Sequence, residues 1–144
     1  MKENDTIELL KECNSGIKMA VDSIDEVMDN IKNDQMRDIL SHSRAEHEKL
    51  GNETHALLTS YHQKDEDPSM IAKSMSWMKT NMKMTMNPGD DTIADLMCAG
   101  CDMGVRSLGK YLNRYNDADE KARDMTRQVI SLEEKLSKDL RCYL

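Results

Sequence analysis

The chain has 144 residues, four cysteines and a net charge of −7, from 27 acidic and 20 basic side chains. This length suits one domain with its own core, and the low aromatic content, 3% of residues, argues against a β fold. The acidic balance disfavours nucleic acid or an anionic membrane surface as a partner, because phosphate binding needs clustered Lys and Arg side chains.

Targeting signals are not evident in the sequence. No stretch approaches the roughly 18 consecutive apolar residues of a membrane span, and no apolar run follows the Met-Lys-Glu-Asn-Asp start. We therefore expect a cytoplasmic protein. In that compartment the cysteines are expected to be reduced thiols rather than a disulfide framework: Cys13, Cys98, Cys101 and Cys142.

The first predicted hairpin covers residues 5–62. Its first helix is predicted from Thr6 to about Lys32, with Asp5 as the N-cap and Glu8 as a capping-box partner. After an Asn33-Asp34 turn, the second helix is predicted from about Gln35 to His62. Its core stripe has an unusually polar centre and reads Met36, Leu40, Ser43, His47, Leu50, Thr54, Leu57 and Tyr61.

A third helix is predicted from Pro68 to about Met86, after a charged loop. Asp67-Pro68 is typical of a helix start, and Asn87-Pro88-Gly89 of a helix end. At about 1.5 Å per residue this helix would be about 28 Å long, enough to traverse a small bundle.

The second predicted hairpin covers residues 91–143. Its first helix starts after Asp91 and runs to about Tyr115, and Asn116-Asp117 is the turn. The last helix is predicted from Ala118 to near Tyr143. Its core stripe consists of Ala122, Met125, Val129, Glu133, Leu136 and Leu140.

The two predicted hairpins share short segments. At a spacing of 86 residues, Asp5-Thr6-Ile7 resembles Asp91-Thr92-Ile93, Arg37-Asp38 recurs as Arg123-Asp124, and Glu48-Lys49-Leu50 recurs as Glu134-Lys135-Leu136. Cys13 and Gly16 match Cys101 and Gly104, but at a spacing of 88. The short turns make each helix pair antiparallel, and the long middle segment would carry the chain back along the bundle.

This repeat, the turns and the crossover resemble a ferritin-like bundle, and the chain is similar to small bacterial ferritin-like proteins of unknown function. The resemblance implies a single all-α domain over residues 1–144. Its architecture would be an up-down four-helix bundle, made of hairpins 5–62 and 91–143 joined by a crossover helix, 68–86.

Ferritin-like di-iron proteins take one Glu from each of two helices and a Glu-x-x-His pair from each of the others. This chain has no Glu-x-x-His sequence. Its candidates are His47 and Glu133, which lie on core stripes 86 residues apart, and Glu46 at the edge of the same face. These residues form either a buried polar pair or an altered metal site, to which His42, one turn before Glu46, could contribute.

Other clusters have both structural and chemical interpretations. Cys98 and Cys101 form a C-x-x-C that either belongs to the core or acts as a redox or metal site. The methionines of residues 70–86 follow a helical stripe typical of a core or of a subunit contact, although methionine arrays can also bind Cu(I). Gly16 and Gly104 suggest a tight crossing of the two helices that contain them.

The favoured function is a non-enzymatic structural or interaction module without the standard di-iron ligands. No cofactor is expected, and the Met-rich helix suggests a homodimer. The alternative is a metal-binding protein for iron or manganese, acting in metal handling or oxidative stress. Its ligands would be Glu46, His47 and Glu133, with an acidic residue from the first helix of either hairpin.

Overall fold

The computed structural model describes residues 2–61 and 88–144. This part of the chain contains no β-strand and four α-helices: α1, Lys2–Met28; α2, Asp34–Ser60; α3, Asp90–Arg114; and α4, Glu120–Leu140. A 3₁₀ turn, Arg141–Tyr143, follows α4. The predicted all-α four-helix architecture is confirmed, whereas His62 and the predicted helix 68–86 lie outside the described residues.

The second helix of each hairpin begins at a side-chain cap. The Asn33 side chain accepts a hydrogen bond from the Met36 amide at 2.9 Å, and the Asp119 side chain accepts one from the Ala122 amide at 2.9 Å. Both caps satisfy an amide that the helix itself leaves unpaired. Each lies in a stretch that the sequence had marked as a turn or a helix start.

The predicted boundaries of α1 were wrong at both ends. The helix already includes Lys2 and ends at Met28 rather than near Lys32. Asp5 therefore lies inside α1 and is not its N-cap. Its carboxylate instead accepts a hydrogen bond from the Asp117 amide at 3.1 Å, which ties α1 to the turn of the other hairpin.

Contacts at the two ends of the bundle fix the helix directions. The carboxylate of Asp90, at the start of α3, accepts hydrogen bonds from the amides of Lys32 and Asn33, both at 2.9 Å. At the other end, the Tyr61 hydroxyl donates to Asp119 at 3.2 Å. Since α2 and α3 both begin at the first end, they run in the same direction, and Tyr61 and Pro88 lie at opposite ends of the bundle.

The core follows most of the predicted stripes. All six predicted positions of α4 are buried, as are the first six of α2. At the end of α2, Leu58 is buried, while Leu57 and Tyr61 are only partly covered. In α3, Met103 is exposed, whereas the neighbouring Gly104 faces the core.

Buried positions recur between the hairpins at two spacings. Between α2 and α4 the spacing is 86 residues, as in Met36/Ala122, Leu40/Thr126, Ser43/Val129, His47/Glu133, Leu50/Leu136 and Thr54/Leu140. Between α1 and α3 it is 88 residues, as in Thr6/Ala94, Leu9/Met97, Leu10/Cys98 and Cys13/Cys101. The helix lengths account for the difference, because α1 has 27 residues and α3 has 25.

The glycine contacts differ from the prediction. Among the described residues, a Cβ added at Gly16 would meet only the Leu108 side chain, at 3.8 Å, so α1 and α3 do not cross tightly at this position. The close approach lies instead at Gly51 of α2, where an added Cβ would stand 3.1 Å from Ile17 of α1. None of the four described helices combines the length and apolar character needed to cross a membrane.

Candidate functional site

The centre of the bundle holds an ion pair between α2 and α4. Nε2 of His47 lies 3.6 Å from Oε1 of Glu133, and the two side chains are 0% and 8% exposed. Both positions belong to stripes whose other members are largely apolar or small, so helical periodicity turns them inward. The structure thus brings together two of the three predicted site residues.

The other imidazole nitrogen of His47, Nδ1, is hydrogen-bonded to a residue of the same helix, α2. Nδ1 of His47 lies 2.8 Å from the Ser43 carbonyl oxygen and 3.3 Å from the Ser43 hydroxyl. A carbonyl can only accept, so Nδ1 must be protonated and donate to it. Nε2 then faces the carboxylate, and among the described residues it has no hydrogen-bond partner.

This arrangement favours an imidazolium beside a carboxylate. Burial lowers the pKa of His47, but the polar contact with Glu133, its negative charge and the Ser43 carbonyl outweigh burial, so the pKa is raised from its ordinary value of 6.5. A bare Nε2 would point its lone pair at a negative oxygen, whereas a protonated Nε2 cancels that charge. The buried pair is therefore neutral as a unit.

Two residues of α3 complete the surroundings of Glu133. A Cβ added at Gly104 would lie 3.5 Å from Oε1 and 3.6 Å from Cδ, so the carboxylate packs over this glycine. Burial first, and then the negative charge of Glu133 and a polar contact with its carboxylate, raise the pKa of Cys101 strongly. Cys101 is thus a neutral thiol and not a reactive thiolate.

The third predicted site residue, Glu46, lines a different feature. It lies in a groove of about 230 Å³ between α2 and α4, lined by Ile39, His42, Ser43, Glu46, Leu132, Lys135, Leu136 and Asp139. His42 and Glu46 thus share this groove, as their spacing of one turn predicts. His47 and Glu133 are not among its lining residues.

The acidic residues of α1 make different contacts. Asp25 forms a two-pronged ion pair with Arg44 of α2, with N to O distances of 2.6 and 3.1 Å. Burial and the neighbouring charges of Asp25 and Glu26 raise the pKa of the half-exposed Asp22. Across residues 2–61 and 88–144, no group of three or more His, Cys, Asp or Glu side chains has a geometry that could hold a metal ion.

Ser43, His47 and Glu133 form a row with the composition of a nucleophilic triad. In such a triad the histidine must take the proton of the serine hydroxyl through an unprotonated nitrogen. Here the nitrogen beside Ser43 already carries a proton and donates it to the Ser43 carbonyl at 2.8 Å. This geometry does not activate Ser43 as a nucleophile.

The C-x-x-C sequence lies on the side of α3 that faces the core of the bundle. Cys98 and Cys101 are buried, as is Cys13 of α1, whereas Cys142 is exposed. Burial raises the pKa of Cys13 to about 12, against a small opposing effect of Thr126, and burial also raises the pKa of Cys98. A redox-active C-x-x-C needs a lowered pKa, so these thiols fit the core interpretation.

A second buried polar contact, between α1 and α2, was not predicted from the sequence. The Thr54 hydroxyl donates to the Asn14 side-chain oxygen at 2.7 Å, joining α2 to α1. The sequence places Thr54 on the core stripe, but the partner lies 40 residues away on another helix. The contact of Cys101 with Glu133 was missed for the same reason, since no local pattern pairs positions on different helices.

Comparisons with known proteins give no relative for this arrangement. No family model, no curated protein and no solved structure matches the chain.

Proposed function

We propose that this protein is a ferritin-like bundle that acts as a non-enzymatic structural or interaction module. The observation that carries the proposal is the His47–Glu133 ion pair, 3.6 Å long and almost fully buried. In the ferritin-like arrangement, inward-facing side chains at the bundle core hold the metal ions. In this chain the two inward-facing ionisable groups of α2 and α4 face each other, and each offsets the other's charge.

Two features support the ferritin-like assignment. The parallel directions of α2 and α3 require the chain between Tyr61 and Pro88 to connect opposite ends of the bundle, as a long crossover does. The recurrence of buried positions at spacings of 86 and 88 residues supports two related hairpins, which we propose derive from an internal repeat.

A metal-binding function is the second candidate, and one observation favours it. The fully buried Nε2 of His47 lacks a hydrogen-bond partner among the described residues. Its distance of 3.6 Å from a carboxylate oxygen is close to the roughly 3.4 Å that separates two ligands of one tetrahedral metal ion. Iron or manganese would then need at least one further donor, and Glu46 would have to turn inward from the groove.

Elemental analysis separates the two candidates. The protein is purified without chelator or affinity tag, reconstituted with Fe(II), Mn(II) or Zn(II), dialysed and analysed beside His47→Ala and Glu133→Ala. We expect no near-stoichiometric metal in any of the three proteins. Near-stoichiometric metal in the wild type that is lost in both variants would overturn the proposal in favour of the metal site.

A further inference from the structure

The charges of α3 are segregated along the helix. All of its acidic residues precede Met103, and all of its basic residues follow it: Asp90, Asp91, Asp95 and Asp102, then Arg106, Lys110 and Arg114. In α1, α2 and α4 acidic and basic residues are not divided into two halves in this way, because basic residues both precede and follow acidic ones. This feature of α3 has no part in the His47–Glu133 site.

The segregated residues lie on the solvent face of α3. Asp95, Asp102, Arg106 and Lys110 are exposed, and their spacings of seven, four and four residues place them along one side of the helix. Met103 lies between the two halves and is 54% exposed, and it is the one large apolar side chain within the four described helices that is exposed. The face therefore combines an apolar centre with flanks of opposite sign.

Interactions among residues 2–61 and 88–144 do not account for this pattern. Asp95, Arg106 and Lys110 form no ion pair with any other residue in the described ranges. The helix macrodipole favours acids in the first turn and bases in the last. That effect covers Asp90 and Arg114, but it fades before the central residues.

The charges of this face of α3 are complementary to those of a second copy of the same face. Asp95 and Lys110 are equally distant from the midpoint between Asp102 and Met103, as are Asp91 and Arg114. If two α3 helices pair antiparallel about a two-fold axis at this midpoint, Asp95 lies opposite Lys110 of the partner subunit, and the reverse contact forms by symmetry. The two Met103 side chains meet at the axis. A parallel pairing would bring like charges together, so the charges specify one orientation.

We propose that the solvent face of α3, centred on Met103, is the surface through which two copies of this chain associate antiparallel. The inference rests on the proposed function as an interaction module and names its partner as a second copy. Exposed ion pairs contribute little each, so the charges select the orientation while Met103 supplies the apolar contact. The dimer is weak and more easily dissociated at high salt.

Complementary charge reversal tests the pairing by analytical ultracentrifugation over a hundredfold range of concentration. Asp95→Lys alone places two lysines opposite each other at both symmetric contacts, and Lys110→Glu alone places two acids there. Each variant alone should therefore dimerise roughly tenfold or more weakly than the wild type. An equimolar mixture restores both contacts in a heterodimer, and its dimer affinity should return close to that of the wild type.

Asp38→Lys and Lys121→Glu are matched controls, because both positions are exposed and lie outside α3. They make the same changes of net charge and should leave dimerisation unchanged, alone or mixed. Far-UV circular dichroism verifies that every variant is helical.

A wild type that stays monomeric at every concentration would overturn the inference, as would a dimer that neither reversal weakens or that the mixture fails to restore. These results would leave the proposed function standing, since it depends on the buried pair and is tested by metal content.

Discussion

Replacing both members of the buried ion pair by leucine tests whether their role is mutual neutralisation. We expect His47→Leu and Glu133→Leu each to destabilise the bundle strongly, whereas the double variant should be at least as stable as the wild type. The reason is that each single change leaves one ionisable group in the core without its partner, while the double change leaves an apolar layer.

The structure sets the size of the effect. At 3.6 Å and an effective dielectric constant of about 20, the attraction between the two charges is about 4–5 kcal/mol. Removing one partner of such a buried pair costs about 3–5 kcal/mol, and exchanging both for apolar residues is neutral or stabilises by about 1–4 kcal/mol. His47→Leu should fall at the lower end, because Glu133 keeps its slight exposure and its contact with Cys101.

Urea unfolding at neutral pH, followed by circular dichroism, gives the free energy of unfolding of all four proteins. We expect a coupling energy of at least about 3 kcal/mol between the two positions. The exposed pair of Asp25 and Arg44 is the control, and its cycle should give less than about 1 kcal/mol. Additive losses at His47 and Glu133 would contradict mutual neutralisation, because the two side chains would then stabilise the fold independently.

Three further predictions follow from the burial and packing of single residues. Because the pKa of His47 is raised in the folded state, the ion pair contributes its full stabilisation below pH 6.5 and loses it as the pH rises through the folded-state pKa. The wild type should therefore lose stability relative to the double-leucine variant above pH 6.5. Parallel stability curves of the two proteins would contradict this. In the native protein a thiol reagent should modify Cys142 rapidly and leave the three buried cysteines unmodified until the protein unfolds. Rapid labelling of more than one thiol would contradict this. Gly100→Ala should stabilise the bundle by about 1 kcal/mol, because an added Cβ meets no described residue within 4 Å. Gly51→Ala should show no such gain, because its Cβ would lie 3.1 Å from Ile17. Equal gains in thermal unfolding would show that this contact relaxes without cost.

Helical periodicity predicted the inward residues of α2 and α4 well. It placed His47 and Glu133 on their core stripes, and both are buried. The pattern is strong in these helices because apolar residues recur at intervals of three and four between charged ones. The spacing of 86 residues also predicted that these two residues occupy equivalent positions in the two hairpins.

Contacts between distant segments were beyond the reach of the sequence pattern. Asp5 has the residue type and the spacing of an N-cap, but its carboxylate binds the amide of Asp117, 112 residues away. Gly51 was overlooked because nothing local marks Ile17 as its neighbour. The sequence predicts which face of a helix turns inward, whereas the partners on other helices depend on how the helices pack.

In the folded protein, Glu133 neutralises the positive charge of His47. Long-range ¹⁵N–¹H correlation spectra of the imidazoles report directly on which ring nitrogens carry protons. At pH 6.5 we expect both His47 nitrogens to be protonated, and we expect the Nε2 proton to be lost in Glu133→Gln. An unprotonated Nε2 in the wild type, or a signal that shifts on adding Fe(II), Mn(II) or Zn(II) and returns with a chelator, would contradict the account.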